Sequence, residues 1–166
     1  GIGSRIGVGK YGFFLHNRGC GFNLIKDHPN SLGPNKKPLH TLSPTIWSKD
    51  GSLDFISGTR GGRYQPQLLA QTILPYILEE SSFEEVMKKP RWTIEYFGSD
   101  TKSNIKFEFL NESELSNLED KGHNISIENK LIGGYGPVST IYKNSDGNFI
   151  GVPDIRVGTE KAFNSS

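Results

Sequence analysis

The chain has a single cysteine, Cys20, among 166 residues, which excludes an internal disulfide and any zinc site built on several cysteines. Its four histidines, His16, His28, His40 and His123, are too scattered to form the i, i+4 pair of a helical metal site. No metal and no cofactor is therefore expected. Charge of one sign is also lacking. Nineteen Lys and Arg face eighteen Asp and Glu, a net charge of +1, and the charges are interspersed, so no basic face offers itself to nucleic acid or an anionic membrane. No apolar run approaches the ~20 residues needed to cross a bilayer, and no membrane contact is expected. An initiating Met is missing too. The chain opens at Gly1 inside a glycine-rich segment and reads as a piece cut from something larger, which leaves its localisation open.

What is present suits one domain over residues 1–166, long enough to bury roughly 70% of the surface its unfolded form exposes. Tyr11–Leu15 reads as a strand. The polar stretch Asn23–Pro38 reads as a loop of the length that often carries function. His40–Trp47 and Leu53–Ser57 read as two strands joined at Ser48-Lys49-Asp50-Gly51, where Asp-Gly marks a hairpin. Gln67–Leu78 has nearly helical apolar spacing, with Pro75 expected to kink it. Ser82 caps a short helix to Lys88, with Glu84 and Glu85 in its first turn. Strands follow at Trp92–Tyr96 and Ile105–Phe109. Asn111 caps a helix that Gly122 stops after Lys121, and three short strands lie between Ile125 and Ile150. This order points to an α+β fold.

Three segments invite a chemical reading. Gly7-Val8-Gly9-Lys10-Tyr11-Gly12 matches the dinucleotide fingerprint G-x-G-x-x-G, but that motif should follow a strand and open a helix, and here strand-like residues come after it. A flexible loop is the better reading. Lys36-Lys37 with His40-Thr41 could supply an anion clamp, a base or a nucleophile; equally, the lysines could be solvated and the His-Thr pair could satisfy loop hydrogen bonds. In Gly58-Thr59-Arg60-Gly61-Gly62 a strand runs into consecutive glycines, whose backbone N–H groups can point together at a developing oxyanion. A tight turn explains the same residues.

The pieces also occur in order as a pattern: FFLHNRGCGF at Phe13–Phe22, PNKKPLHTLSPT at Pro34–Thr45, GTRGGRYQPQ at Gly58–Gln67, KPRW at Lys89–Trp92 and DIR at Asp154–Arg156. This resembles the small subunit of gamma-glutamyltranspeptidases, and more closely the gamma-glutamyltransferase-like amidases and acylases of that superfamily, over nearly the whole chain. The resemblance implies an N-terminal-nucleophile hydrolase with a four-layer αββα sandwich, of which this chain is the C-terminal part. It also implies a self-cleaving precursor, a large subunit or upstream segment as partner, and a small-molecule amide as substrate. The new N-terminal threonine would attack the amide carbonyl with its own α-amine as base. That threonine is expected upstream of Gly1. Ser4, Thr41, Thr45 and Thr59 cannot replace it, since none has a free α-amine, so the chain alone should be inert.

By the same resemblance, Gly61 and Gly62 are the glycines of the oxyanion hole, with Arg60 where proline is usual. His40 and Thr41 stand where the transpeptidases have two serines that contact the substrate α-carboxylate. Arg18 and Gly21 stand where a Gln or Glu and an Asp hold the α-amino group. A cation at Arg18 and no carboxylate at Gly21 should disfavour an α-ammonium. A glutaryl or similar dicarboxylic amide suits this lining better than a gamma-glutamyl one. The alternative function is that of a relative without catalysis, serving as a binding or structural protein.

Overall fold

The structure, a computed structural model, describes residues 3–95, 104–133 and 136–158. The chain divides into two compact units, Gly1–Thr41 and Leu42–Ser166. In the first, strand β1 (Gly7–Val8) pairs antiparallel with β2 (Phe13–Phe14). The strand expected over Tyr11–Leu15 is thus reduced to two residues, because Tyr11 and Gly12 are used in the turn, both donating to the Val8 carbonyl at 2.9 Å. The fingerprint-like segment therefore begins in a strand and turns back into another, and no helix opens after it. A 3-10 turn at Arg18–Gly21 follows, and the long polar loop is closed on itself by a bridge between Asn23 and Ser31.

The second unit opens with the hairpin of β3 (Thr45–Lys49) and β4 (Ser52–Thr59). The first strand starts later than the expected His40, because Pro44 has no N–H for a ladder and restricts the residue before it. The turn is tighter than four residues. Asp50 and Gly51, at φ 51° and 77°, form a two-residue connection whose twist matches its strands. Beyond the turn β4 pairs with β8 (Val138–Lys143) and β8 with β9 (Phe149–Val152), giving an antiparallel sheet in the order β3-β4-β8-β9.

Helix α1 (Gln65–Leu78) begins two residues before the expected Gln67, with Pro66 in its first turn, where a missing N–H costs nothing. It continues as one helix through Pro75. Helix α2 (Phe83–Lys88) has the expected Ser82 cap as a reciprocal capping box, Glu85 N–H donating to Ser82 Oγ and Ser82 N–H to Glu85 Oε2. The apolar sides of both helices meet the inner face of the sheet. Phe55, Leu68, Leu69, Ile73, Phe83, Met87, Val138 and Val152 form the core. Phe55 is its centre, with Trp47, Tyr76 and Phe83 ring centroids at 5.4, 5.2 and 5.1 Å; a fully buried side chain such as Phe55 or Phe83 contributes about 1.5–3 kcal/mol.

A second sheet holds β5 (Trp92–Glu95), β6 (Asn104–Phe107) and β7 (Asn124–Ile127). β5 and β6 are antiparallel; β6 and β7 are parallel, joined through helix α3 (Glu112–Asp120), which Asn111 and Glu114 cap. Tyr96, the expected end of β5, lies outside the described residues. β6 ends at Phe107 rather than Phe109, since Glu108 turns into the interior. Two glutamines of α1 one helical turn apart complete the edge of β5. Gln71 exchanges hydrogen bonds of 2.9 and 2.8 Å with the Trp92 N–H and carbonyl, and Gln67 accepts from Ile94 N–H at 2.7 Å. An otherwise unpaired sheet edge is thereby satisfied by side chains. The α+β organisation expected from the sequence is the one observed. No helix among the described residues is long and apolar enough to cross a membrane.

Candidate functional site

The glycine pair sits where β4 ends and α1 is about to begin. After Thr59 the chain leaves the sheet, and Gly62–Tyr64 form a single 3-10 turn that runs directly into the helix. Gly62 has φ +54°, a left-handed conformation that glycine takes without a Cβ penalty. The carbonyls around it are spoken for. Gly61 O accepts from Tyr64 N–H at 2.9 Å, and Gly62 O accepts from the Gln65 side chain at 3.1 Å. Gln65 is buried, and its Oε1 in turn accepts from Ser43 N–H at 3.2 Å.

A peptide group is a rigid trans plane, so a fixed carbonyl fixes the opposite direction of the N–H beside it. Holding Gly61 O therefore aims the Gly62 N–H. Among the described residues neither Gly61 N–H nor Gly62 N–H donates a hydrogen bond. Two such donors in succession, on the 3-10 turn that leads into a 14-residue helix with no acidic side chain in its first turn, make a local field that favours negative charge. An open cleft of about 270 Å³ lies alongside, lined by Gly58, Thr59, Arg60, Pro137 and Ser139.

In the first unit the structure brings together residues 23 positions apart. The Arg18 guanidinium, through Nη1, donates to Thr41 Oγ1. Gly21 closes the 3-10 turn that Arg18 opens; its carbonyl accepts from the Asn30 side chain, and its α-carbon faces the Leu39 backbone. His40 is exposed beside Thr41. Lys36 is not available as an anion clamp, because its ammonium staples the loop through the carbonyls of Pro29 and Ser31 at 3.1 and 3.0 Å. No group of three His, Cys, Asp or Glu among the described residues is placed to hold a metal ion.

The last two motifs, KPRW and DIR, meet in the second unit as a buried charge network. Arg91 Nη1 donates to Asp154 Oδ2 at 2.6 Å, and Arg156 Nε donates to Glu108 Oε1 at 2.6 Å. Arg156 also donates to Asp154 Oδ1 and to the carbonyls of Met87 and Lys89. Backbone N–H groups of Arg91 and Ile132 occupy the Glu108 carboxylate, and those of Val138 and Arg156 occupy Asp154. Burial pushes the Asp154 carboxyl up, but Arg91 and the two backbone donors outweigh it and hold it below the usual carboxylate value. Burial and the neighbouring Arg156 charge lower Arg91 from its ordinary value against the pull of Asp154. The sequence pattern does not single out Glu108, which alone among the four lies outside the shared motifs; a carboxylate in an apolar strand context, Phe107-Glu108-Phe109, is the available signal.

The family model for gamma-glutamyltranspeptidase matches residues 1–163. A glutathione hydrolase-like proenzyme of Bacillus subtilis is 29% identical over 138 residues, covering 82% of this chain and 26% of the relative. An oxamate amidohydrolase proenzyme of Klebsiella pneumoniae is 27% identical over 156 residues, covering 93% of this chain and 30% of the relative. The chain thus spans under a third of the length of these curated relatives. A crystal structure of a mutant Helicobacter pylori gamma-glutamyltranspeptidase superposes with a TM-score of 0.69 at 24% identity, covering 93% of this chain and 87% of that one. The chain belongs to the gamma-glutamyltranspeptidase family, and its α+β fold is that of the family's N-terminal-nucleophile hydrolases.

Proposed function

We propose that this chain is the C-terminal part of an amide hydrolase or acyltransferase, completed by an upstream segment or large subunit of the same precursor, and that the whole acts through an N-terminal threonine upstream of Gly1. The observation that supports the reading is the Gly61–Gly62 pair just past the end of β4, whose N–H groups donate no hydrogen bond among the described residues and whose Gly61 carbonyl is held by Tyr64 N–H, which orients the Gly62 N–H. Attack of the threonine hydroxyl on the amide carbonyl forms a C–O bond and moves the carbonyl π electrons onto oxygen, while the threonine α-amine takes the hydroxyl proton. The two glycine N–H groups stabilise that oxyanion, the interaction that exists only in the transition state. Collapse expels the amine, which leaves with the proton, and water or an acceptor amine then releases the acyl group.

Arg18, Gly21, His40 and Thr41 are proposed as acyl-recognition residues. The Arg18 cation favours an acyl group that ends in a carboxylate and lacks an α-ammonium. The Klebsiella relative is named for oxamate, an amide of that kind. The experiment is a mass measurement on the intact, self-cleaved protein mixed with a glutaryl anilide and quenched early. One glutaryl adduct on the new N-terminal threonine is expected; an adduct elsewhere, or none while anilide is consumed, overturns the nucleophile assignment.

A further inference from the structure

The Gly61 N–H belongs to the same peptide plane as the Arg60 carbonyl, and that carbonyl lies against Gly136. Gly136 is buried at φ +83°. A Cβ added there would fall 2.6 Å from the Arg60 carbonyl carbon and 2.7 Å from Gly61 Cα, distances that real Cβ atoms do not reach. The two backbones therefore touch with no side-chain layer between them. A hydrogen bond ties the same two segments. Thr59 Oγ1 donates to Gly136 O at 3.1 Å, immediately past the last ladder pair, Thr59 opposite Val138.

We propose that Gly136 and Thr59 are positioning residues of the oxyanion hole: they set the Arg60–Gly61 peptide plane and so aim the Gly61 N–H. This rests on the role proposed above for the glycine pair. The pair is then pinned by two independent devices. Tyr64 holds the Gly61–Gly62 plane through a hydrogen bond, and Gly136 holds the Arg60–Gly61 plane through contact on its carbonyl side, which leaves the trans N–H directed away from Gly136. A side chain at position 136 has to turn that plane. Loss of the Thr59 hydroxyl leaves the plane in contact but untied.

The test uses the intact protein with Gly136→Ala, Thr59→Val and, as a control, Gly147→Ala. Gly147 has the same φ of +83° in the β8–β9 turn, at the opposite end of the sheet from Thr59, and a Cβ added there would meet nothing nearer than Lys143 Cε at 3.8 Å. Gly136→Ala is expected to lower kcat on the order of 10²-fold with KM changed less than about threefold, the signature of a lost transition-state donor. Thr59→Val is expected to lower kcat about threefold to tenfold. Gly147→Ala should lower Tm and leave kcat unchanged. Crystal structures of the first two variants give a readout independent of turnover, with the Arg60–Gly61 peptide rotated in Gly136→Ala. Wild-type kcat in both variants, or an unmoved peptide in Gly136→Ala, overturns the proposal. A wild-type protein that turns over no amide removes the catalytic reading, while the crystallographic comparison still decides whether Gly136 sets the plane.

Discussion

Arg91 Nη1 lies 2.6 Å from Asp154 Oδ2, with 3% and 0% of the two side chains exposed. The pair joins the start of β5 to the segment after β9, 63 residues apart, and Asp154 also accepts from Val138 N–H, the first residue of β8. Removing one partner strands a buried charge, so Asp154→Ala should cost about 3–5 kcal/mol, read as a lower denaturation midpoint of the intact protein in urea at unchanged slope.

The same carboxylate fixes a pH dependence. Its folded pKa is depressed, so its stabilising contribution is complete above the unfolded Asp value of about 3.9 and is lost as pH falls through the lower folded value. Thermal melts from pH 7 to pH 2 should show wild type and Asp154→Asn converging in stability below about pH 4. Parallel curves down to pH 2 would contradict the assignment.

Gly62→Ala separates geometry from space. Nothing lies within 4 Å of a Cβ at Gly62, so the penalty is the left-handed backbone alone, roughly 1–3 kcal/mol. Relief of that strain turns the Gly62 N–H. A loss of kcat on the order of 10²-fold with KM nearly constant is expected, measured by steady-state kinetics on the self-cleaved protein.

Arg18→Gln should reverse the acyl preference. Loss of the cation is expected to raise KM for a glutaryl anilide about tenfold, the effect of one charge-assisted hydrogen bond, while a gamma-glutamyl anilide is unaffected or improved. Competition between the two anilides measures the ratio directly. A gamma-glutamyl preference already present in wild type would contradict the proposed role of Arg18.

Local chemistry made much of the fold legible in the sequence. Ser82 and Asn111 cap their helices as read, since a side-chain acceptor three residues before a Glu is a self-contained device, and Asp50-Gly51 makes the hairpin because both residues take the positive φ that a two-residue turn needs. The boundaries near prolines were less legible. Pro44 delays β3 and Pro66 advances α1, each by acting on residues beyond itself. The glycine pair was visible as a type of residue at the end of a strand, but as a turn no less than as an oxyanion hole; the ordered motifs and the held Gly61 carbonyl are what support the proposed oxyanion-hole reading. Gly136 could not be identified from the sequence at all. Its proposed role depends on a backbone contact with Arg60 and Gly61, 76 and 75 residues away, and one glycine in a glycine-rich segment carries no sign of which neighbour it touches.

The measurement that tests the central claim most directly is the rate of amine release from glutaryl and gamma-glutamyl anilides by the intact protein and by residues 1–166 alone, run side by side. Turnover by the intact, self-cleaved protein and none by the isolated chain is the predicted result. Turnover by residues 1–166 alone, or a correctly cleaved intact protein that releases no amine from either anilide, would contradict it.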